Sequence, residues 1–329
     1  MDLGSALWEA LRVAVSAQAA AYAVAAVGLN LHFGYTGLLN FGHVGFFLVG
    51  AYGAAITVDS GGSLWLGAAV GIAASVVLAL LLGLPTLRLR ADYLAIVTIA
   101  VAEILRLVAR SNAARPLTGG VFGIKTVAGD FYDLNPIPRG TYGFGGLVFS
   151  QRSLWVIVAG WTVAGLCTLL LWALVRSPWG RVIRAIREDE DAARSLGKNV
   201  FVRKLQSLVL GGVFGALAGI VLMLNQQSVV PDTYVAVLTF FAYTVLILGG
   251  AGTTLGPIAG SIIFWFLVQL SESLLRQAIQ NEVIPTSVLT LQDLSALRFA
   301  LVGLGLMALM AFRPQGIFGR REELLLDAR

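Results

Sequence analysis

From Leu64 to Gly83 the chain reads LWLGAAVGIAASVVLALLLG, twenty residues without a charge. At helical rise such a run covers about 30 Å, the hydrocarbon thickness of a bilayer, and it is apolar on every side. It predicts a membrane-spanning helix and argues against a β-barrel, whose short strands alternate apolar and polar residues. Comparable windows recur at roughly 12–32, 43–58, 93–109, 153–175, 206–224, 234–250, 256–275 and 298–312, the second of them short. Together they predict an all-α polytopic membrane protein, a single transmembrane domain over 1–329 with about eight to ten segments. A composition of 57% hydrophobic and 12% charged residues lies outside the soluble globular range.

Basic residues in short connections mark the cytoplasmic side of such proteins. The 176–204 connection holds Arg176, Arg181, Arg184, Arg187, Arg194, Lys198, Arg203 and Lys204. The tail at 313–329 carries Arg313, Arg320, Arg321 and Arg329, and the turn LRLRAD carries Arg88 and Arg90. Counting spans puts all three on the cytoplasmic side. NQQSVVPDTYV at 225–235, with no Lys or Arg, falls outside. The 110–152 connection also counts to the outside despite its basic residues, because the charge rule weakens in long loops. The side of the N-terminus is open, since the glycine-broken stretch 31–45 reads equally as a re-entrant half-span or as part of a helix. MDLGSALWEALR lacks the positive start of a cleavable signal peptide, so the first span is expected to be retained. The net charge of +5 is accounted for by the cytoplasmic loops and calls for no nucleic-acid partner.

Few residues offer chemistry. LNLHFGYTGLLNFGHVGFFLVGAYGAA contains the two histidines, His32 and His43, with Asn30, Asn40 and six glycines. Unwound backbone inside a membrane is tolerated only where protein or a cavity covers it, so Asn40 and His43 are candidates for a pathway-lining element; ordinary helix packing is the alternative. Glu103 lies about 15 Å along its span from Tyr93, near the bilayer middle, where a carboxylate is costly. Arg106, one turn on, can pair with it, so the two form either a structural ion pair or a functional one. Cys167, the one cysteine, supports neither a disulfide nor a zinc site. LGGAGTTLGPIAGS lacks the lysine of a phosphate loop, and no zinc helix or nucleophile elbow is present. No catalytic, cofactor or metal site is expected.

The charged stretch RVIRAIREDEDAARSLGKN has its own pattern. Pro178 breaks the preceding helix, and Val182, Ile183 and Ile186 then fall at helical spacing. Asp189 can cap a second short helix, with Arg194 four places after Glu190 and Gly197 as its stop. Lipid headgroups are one surface for these helices. Four consecutive acids, Glu188, Asp189, Glu190 and Asp191, fit a protein partner better, because anionic lipid repels them.

An internal echo links YLAIVTI at Tyr93 to YVAVLTF at Tyr234, an offset that also carries Gly71 onto Gly212. The two segments enter from opposite sides by the topology above. This is the pattern of an inverted-topology repeat, although apolar helices also resemble each other through composition alone.

In order, LNFGHVGFFLVGAYGAA, LRLRADYLAIVTIAVAEI, RSPWGRVIRAIREDEDAARSLGKN, LILGGAGTTLGPIAGS and FRPQGIFG resemble the permeases of bacterial high-affinity branched-chain amino acid ABC transporters, the LivM-type subunit most of all. Asp92 departs from a glycine common there. The resemblance implies a multi-pass subunit of the bacterial inner membrane that has no enzymatic activity and binds no cofactor. It also implies a second, H-type permease, two cytoplasmic ATPases holding ATP and magnesium, and an extracytoplasmic amino-acid-binding protein. The ATPase-coupling element it implies comprises Arg181, Arg184, Arg187, Glu188, Asp189, Glu190, Asp191, Arg194 and Gly197. Urea or short amides are alternative substrates. A self-sufficient proton-coupled carrier using Glu103 and His43 is an alternative mechanism, and an intramembrane enzyme lacks the groups it would need.

Overall fold

Polar caps begin the apolar helices. Ser16, Ser63 and Ser150 each accept the backbone N–H three residues on at 3.3 Å, and Asn199 does the same for Val202 at 3.1 Å. Each cap satisfies one of the amide groups that a helix start leaves without a partner. The computed structural model describes residues 3–88, 91–125 and 127–281, together with 297, 300, 303–305, 307, 311–313 and 315–319.

Helix α1 (Leu3–Ala14) is followed by α2 (Ala17–Leu29), which runs on into a π-helical turn, Asn30–Tyr35. Six non-helical residues, 37–42, lead to α3 (His43–Asp59), α4 (Leu64–Thr86) and α5 (Ala91–Arg110). The long connection that follows carries α6 (Arg115–Thr118), strand β1 (Ile124–Lys125), α7 (Gly129–Asp133) and a hairpin of β2 (Thr141–Phe144) and β3 (Leu147–Ser150). Then come α8 (Gln151–Arg176), α9 (Pro178–Glu188), α10 (Glu190–Ser195) and α11 (Val200–Gln226). Strand β4 (Ser228–Val229) pairs antiparallel with β1, and α12 (Val237–Gly249) and α13 (Gly256–Gln280) complete the described helices.

Among the described residues five helical segments are long and apolar enough to cross a membrane, and α1 with α2 and its π-turn forms a sixth, bent by 48°. The expected first span, 12–32, is therefore longer than its apolar window and broken at Val15–Ser16. α3 is a shorter apolar helix of 17 residues, and α5 has the length to cross but carries Glu103, Arg106 and Arg110. With these two the described segments come to eight. The expected span near 298–312 lies mostly outside the described residues.

The ends of the bundle follow from contacts. α9 and α10 lie where α8 ends and α11 begins, and the Arg187 guanidinium reaches the Gly34 carbonyl, so the π-turn shares the basic-loop end. The β1–β4 pair lies past the other end of α11. Trp8 packs edge-on against Phe144 of the β2–β3 hairpin at 6.4 Å, and Ser273 near the close of α13 donates to Glu9 at 2.6 Å. These contacts set α1 at the far end, opposite the basic loop, and settle the end left open by the sequence.

α11 is the hub, packed against α2, α3, α4 and α8. Gly211, Gly215 and Gly219 recur every four residues along one of its faces. A Cβ on Gly211 would strike the His32 ring, one on Gly215 would lie 2.9 Å from His43 Cε1 and Phe46 Cβ, and one on Gly219 would overlap the Phe47 carbonyl. Lipid tails are as apolar as leucine, so helices associate in a bilayer by close packing, and small residues permit it. Gly219→Val should lower stability by about 1–3 kcal/mol, the usual cost of overpacking, because the obstacle is backbone. Gly129→Ala, with open space around its Cβ, should be near neutral. Thermal unfolding of the two variants in detergent checks this, and equal midpoints would contradict it.

Candidate functional site

Past the π-turn the helical backbone ladder lapses until α3 begins at His43. Side chains replace the lost bonds. Asn30 holds the 250–256 turn with both ends of its amide, donating to the Thr253 carbonyl at 2.7 Å and accepting from Gly252 N at 2.8 Å. Thr36 donates to the Leu31 carbonyl at 2.8 Å and lies 2.7 Å from the Ser207 hydroxyl on α11. The Thr239 hydroxyl, from α12, accepts Val44 N at 2.9 Å, and the Tyr243 hydroxyl donates to the Asn40 carbonyl at 3.2 Å.

The histidines flank this break, His32 inside the π-turn and His43 at the first position of α3. His32 Nε2 lies 3.2 Å from the Leu208 carbonyl, which can only accept, so Nε2 carries the proton. Nδ1 is then left to accept from the Asn40 amide at 3.2 Å. One neutral tautomer satisfies both contacts. His43 stands edge-on to His32 at 5.5 Å and packs against Phe46 and Phe47. Among the described residues Asn40 Oδ1 is buried without a hydrogen bond, and the buried His43 ring has the Ala25 carbonyl beside it. Buried polar atoms of this kind are costly and mark a polar spot inside the bundle.

The charged stretch folds as a two-helix hairpin. Ser177 caps α9, and Asp189 caps α10 by accepting Asp191 N and Ala192 N at 2.9 Å. Arg194 bonds Glu190 at 3.0 Å and Asp191 at 2.9 Å, Lys204 ties Glu190 to the start of α11, and Gly197 ends the hairpin at φ +74°. Ile186, Ala193 and Val200 form a small core of its own, with Val182 packed against it, while Ile183 is buried in the main core. Arg184 reaches back to the Val175 carbonyl at 3.1 Å. Arg181 and Glu188 are exposed and make no ion pair among the described residues.

Arg187 joins the hairpin to the break. It donates to the Gly34 carbonyl, and its Cγ lies 3.4 Å from where a Cβ on Gly37 would sit, a residue at φ +73°. Glu103 and Arg106 are elsewhere. Arg106 grips Glu103 through two nitrogens at 2.6 and 3.0 Å and Asp232 at 2.8 Å, so the pair ties α5 to the far-end turn before α12. Among the described residues no bond links this network to Asn40 or His43. Asn40 and His43, both candidates from the sequence, each lie against His32. Sequence reasoning missed Thr36, Ser207, Thr239 and Tyr243, whose hydroxyls are ordinary in helices; only the echo, which aligns Thr239 with Thr98, pointed to one of them. Thr98 meets the same break, its carbonyl lying where a Cβ on Gly42 would be.

Residues 11–311 match the family described as branched-chain amino acid transport system, permease component. The high-affinity branched-chain amino acid transport system permease protein LivM of Escherichia coli is 31% identical over 90% of this chain and 67% of its own length. LivM of Salmonella typhimurium is 30% identical over the same shares. The LivH permease protein of Escherichia coli is 26% identical over 92% of each chain.

The Asp189 cap generates a local test. Asp189→Ala should cost the hairpin about 1 kcal/mol, the usual worth of such a cap, and speed hydrogen exchange at the Asp191 and Ala192 amides several-fold. Unchanged exchange at those two amides would show that the cap does not hold α10.

Proposed function

The chain belongs to the branched-chain amino acid transport permease family, and from that premise we propose that it is the permease subunit of an ATP-driven importer carrying leucine, isoleucine or valine inward across the bacterial inner membrane. ATP and magnesium sit on separate cytoplasmic ATPase subunits. An H-type permease forms the other part of the pathway, and an extracytoplasmic amino-acid-binding protein delivers substrate. The basic-loop end faces the cytoplasm, in keeping with its arginines and lysines.

The observation that carries this mechanism is the bond from Arg187 to the Gly34 carbonyl. A partner that pushes on the exposed acids Glu188, Asp189 and Asp191 moves α9. Arg187 passes that motion to the π-turn, and from there to His32, Asn40 and the chain leading into α3. The hairpin has its own small core and caps, so it moves as a unit rather than unravelling. Gly37 supplies backbone freedom beside the point of contact, since its positive φ is one that other residues rarely adopt. The α5 segment and the segment from Tyr234 act as inverted repeats that grip the break, a role supported by Thr98 and Thr239 meeting it at Gly42 and Val44. A proton-coupled carrier is the weaker reading, because Glu103 is engaged by Arg106 and has no bond to His43.

In the reconstituted assembly, Arg187→Ala should leave ATP hydrolysis in place and lower leucine uptake about ten- to hundred-fold, from about 1.5–3 kcal/mol for a charge-assisted hydrogen bond. Arg187→Lys should restore part of it. Uptake at the wild-type rate with hydrolysis unchanged would remove Arg187 from the coupling route, and uptake without ATP would remove the importer itself.

A further inference from the structure

At the basic-loop end a groove of about 840 Å³ opens between the last turns of α8, Arg184 of α9 and the turn before α13. Its lining is divided by polarity. Gly165, Leu169 and Ile258 make an apolar wall, with Leu169 60% exposed, and Arg176, Arg184 and Thr254 make the polar mouth. Among the described residues no carboxylate lines it. Trp172 stands between the two zones, and the Arg176 guanidinium lies over its ring at 4.2 Å.

Each part of this arrangement has a physical reason at the edge of a membrane. Tryptophan concentrates where hydrocarbon meets headgroups, and arginine lays its stem along apolar surface while its charge stays at the boundary. Arg184 spends two nitrogens on the Val175 and Gly180 carbonyls, at the end of α8 and in the first turn of α9, which fixes it in place and leaves other guanidinium N–H groups to donate. Arg176 has no ion pair among the described residues. The first turn of α13, a 25-residue helix, borders the same groove through Gly256 and Ile258. Among the described residues the mouth is thus cationic without a counter-charge, and the wall beneath it is shaped for a hydrocarbon chain.

The geometry points to a binding site for one anionic phospholipid of the leaflet on the basic-loop side, with its phosphate between Arg176 and Arg184 and an acyl chain along Leu169 and Gly165. Charge complementarity chooses the occupant: a zwitterionic lipid brings a cation of its own with its phosphate and an apolar helix brings no anion, so neither offsets the two guanidinium groups as a net anionic lipid does. The lipid would also touch the turn that Asn30 holds, since Gly252 and Thr253 line the groove as well.

The test uses the purified full chain in the assembly it is isolated with. It is titrated separately with phosphatidylglycerol and phosphatidylcholine, and retained lipid is counted by native mass spectrometry. Phosphatidylglycerol should be retained preferentially, and Arg176→Gln should lower its retention about five-fold, the worth of one basic residue at an anionic surface. Arg176→Lys should keep most of it, which guards against a folding defect in the glutamine variant. Arg203→Gln, at the same end but outside the groove, should bind as wild type does. Equal retention of the two lipids, or undiminished phosphatidylglycerol on Arg176→Gln, overturns the proposal. So does displacement by inorganic phosphate alone, which would mark a site for a free anion. Cross-linking of the Leu169→Cys variant to residues 282–312 or to a second permease, with no lipid retained, would overturn the proposal too, because protein would then fill the groove.

Discussion

A backbone amide or carbonyl in hydrocarbon must find its partner within the protein, because no water is there to replace it. Most of this chain meets that demand with plain helices. From Asn30 to Gly42 it does not, and the neighbouring elements are arranged around the deficit. α11 contributes Ser207 and the Leu208 carbonyl, α12 contributes Thr239 and Tyr243, and the 250–256 turn is held by Asn30. The glycine face of α11 lets it lie close enough to do this. Removing the break would make the polar cluster pointless, and removing the cluster would make the break too costly to keep.

The helices were legible because a bilayer imposes one length and one polarity on whatever crosses it, and LWLGAAVGIAASVVLALLLG admits no other local structure. The hairpin was legible for a different reason. Pro178, Asp189 and Gly197 act through short-range geometry, so their effects as break, cap and stop can be read without knowing the rest of the fold. The site was legible only in part. Asn40 and His43 stand out as polar residues in an apolar run, but hydroxyls hide in such runs because a serine or threonine can bond its own helix. Nothing local distinguishes Thr239, which receives Val44 N, from Thr244, which bonds the Phe240 carbonyl one turn back. The bend after α1 and the far-end position of that helix depend on partners some 130 to 270 residues away, so no window of sequence contains them.

The two polar centres differ in kind. Around Arg106 the charges are opposite, close and half open to the surroundings, so each acid finds a cation and the network holds α5 to the turn before α12. Around His32 and His43, among the described residues, no carboxylate or guanidinium is bonded to the rings. Charge thus joins elements at the far end, while the interior is organised by hydrogen bonds that can be exchanged without separating ions.

The π-turn at Asn30–Tyr35 holds, in effect, one residue more than an α-helix would place in the same length. If that surplus moves along the helix by one position, every residue it passes turns by about 100° and shifts by about 1.5 Å, with the helix still continuous on either side. His32 lies inside the turn, clamped between Leu208 and Asn40, and Gly34, the carbonyl held by Arg187, lies two residues on. Such a step at Gly34 would break the bond that Arg187 makes to its carbonyl, so the hairpin helps to hold the surplus residue where it is.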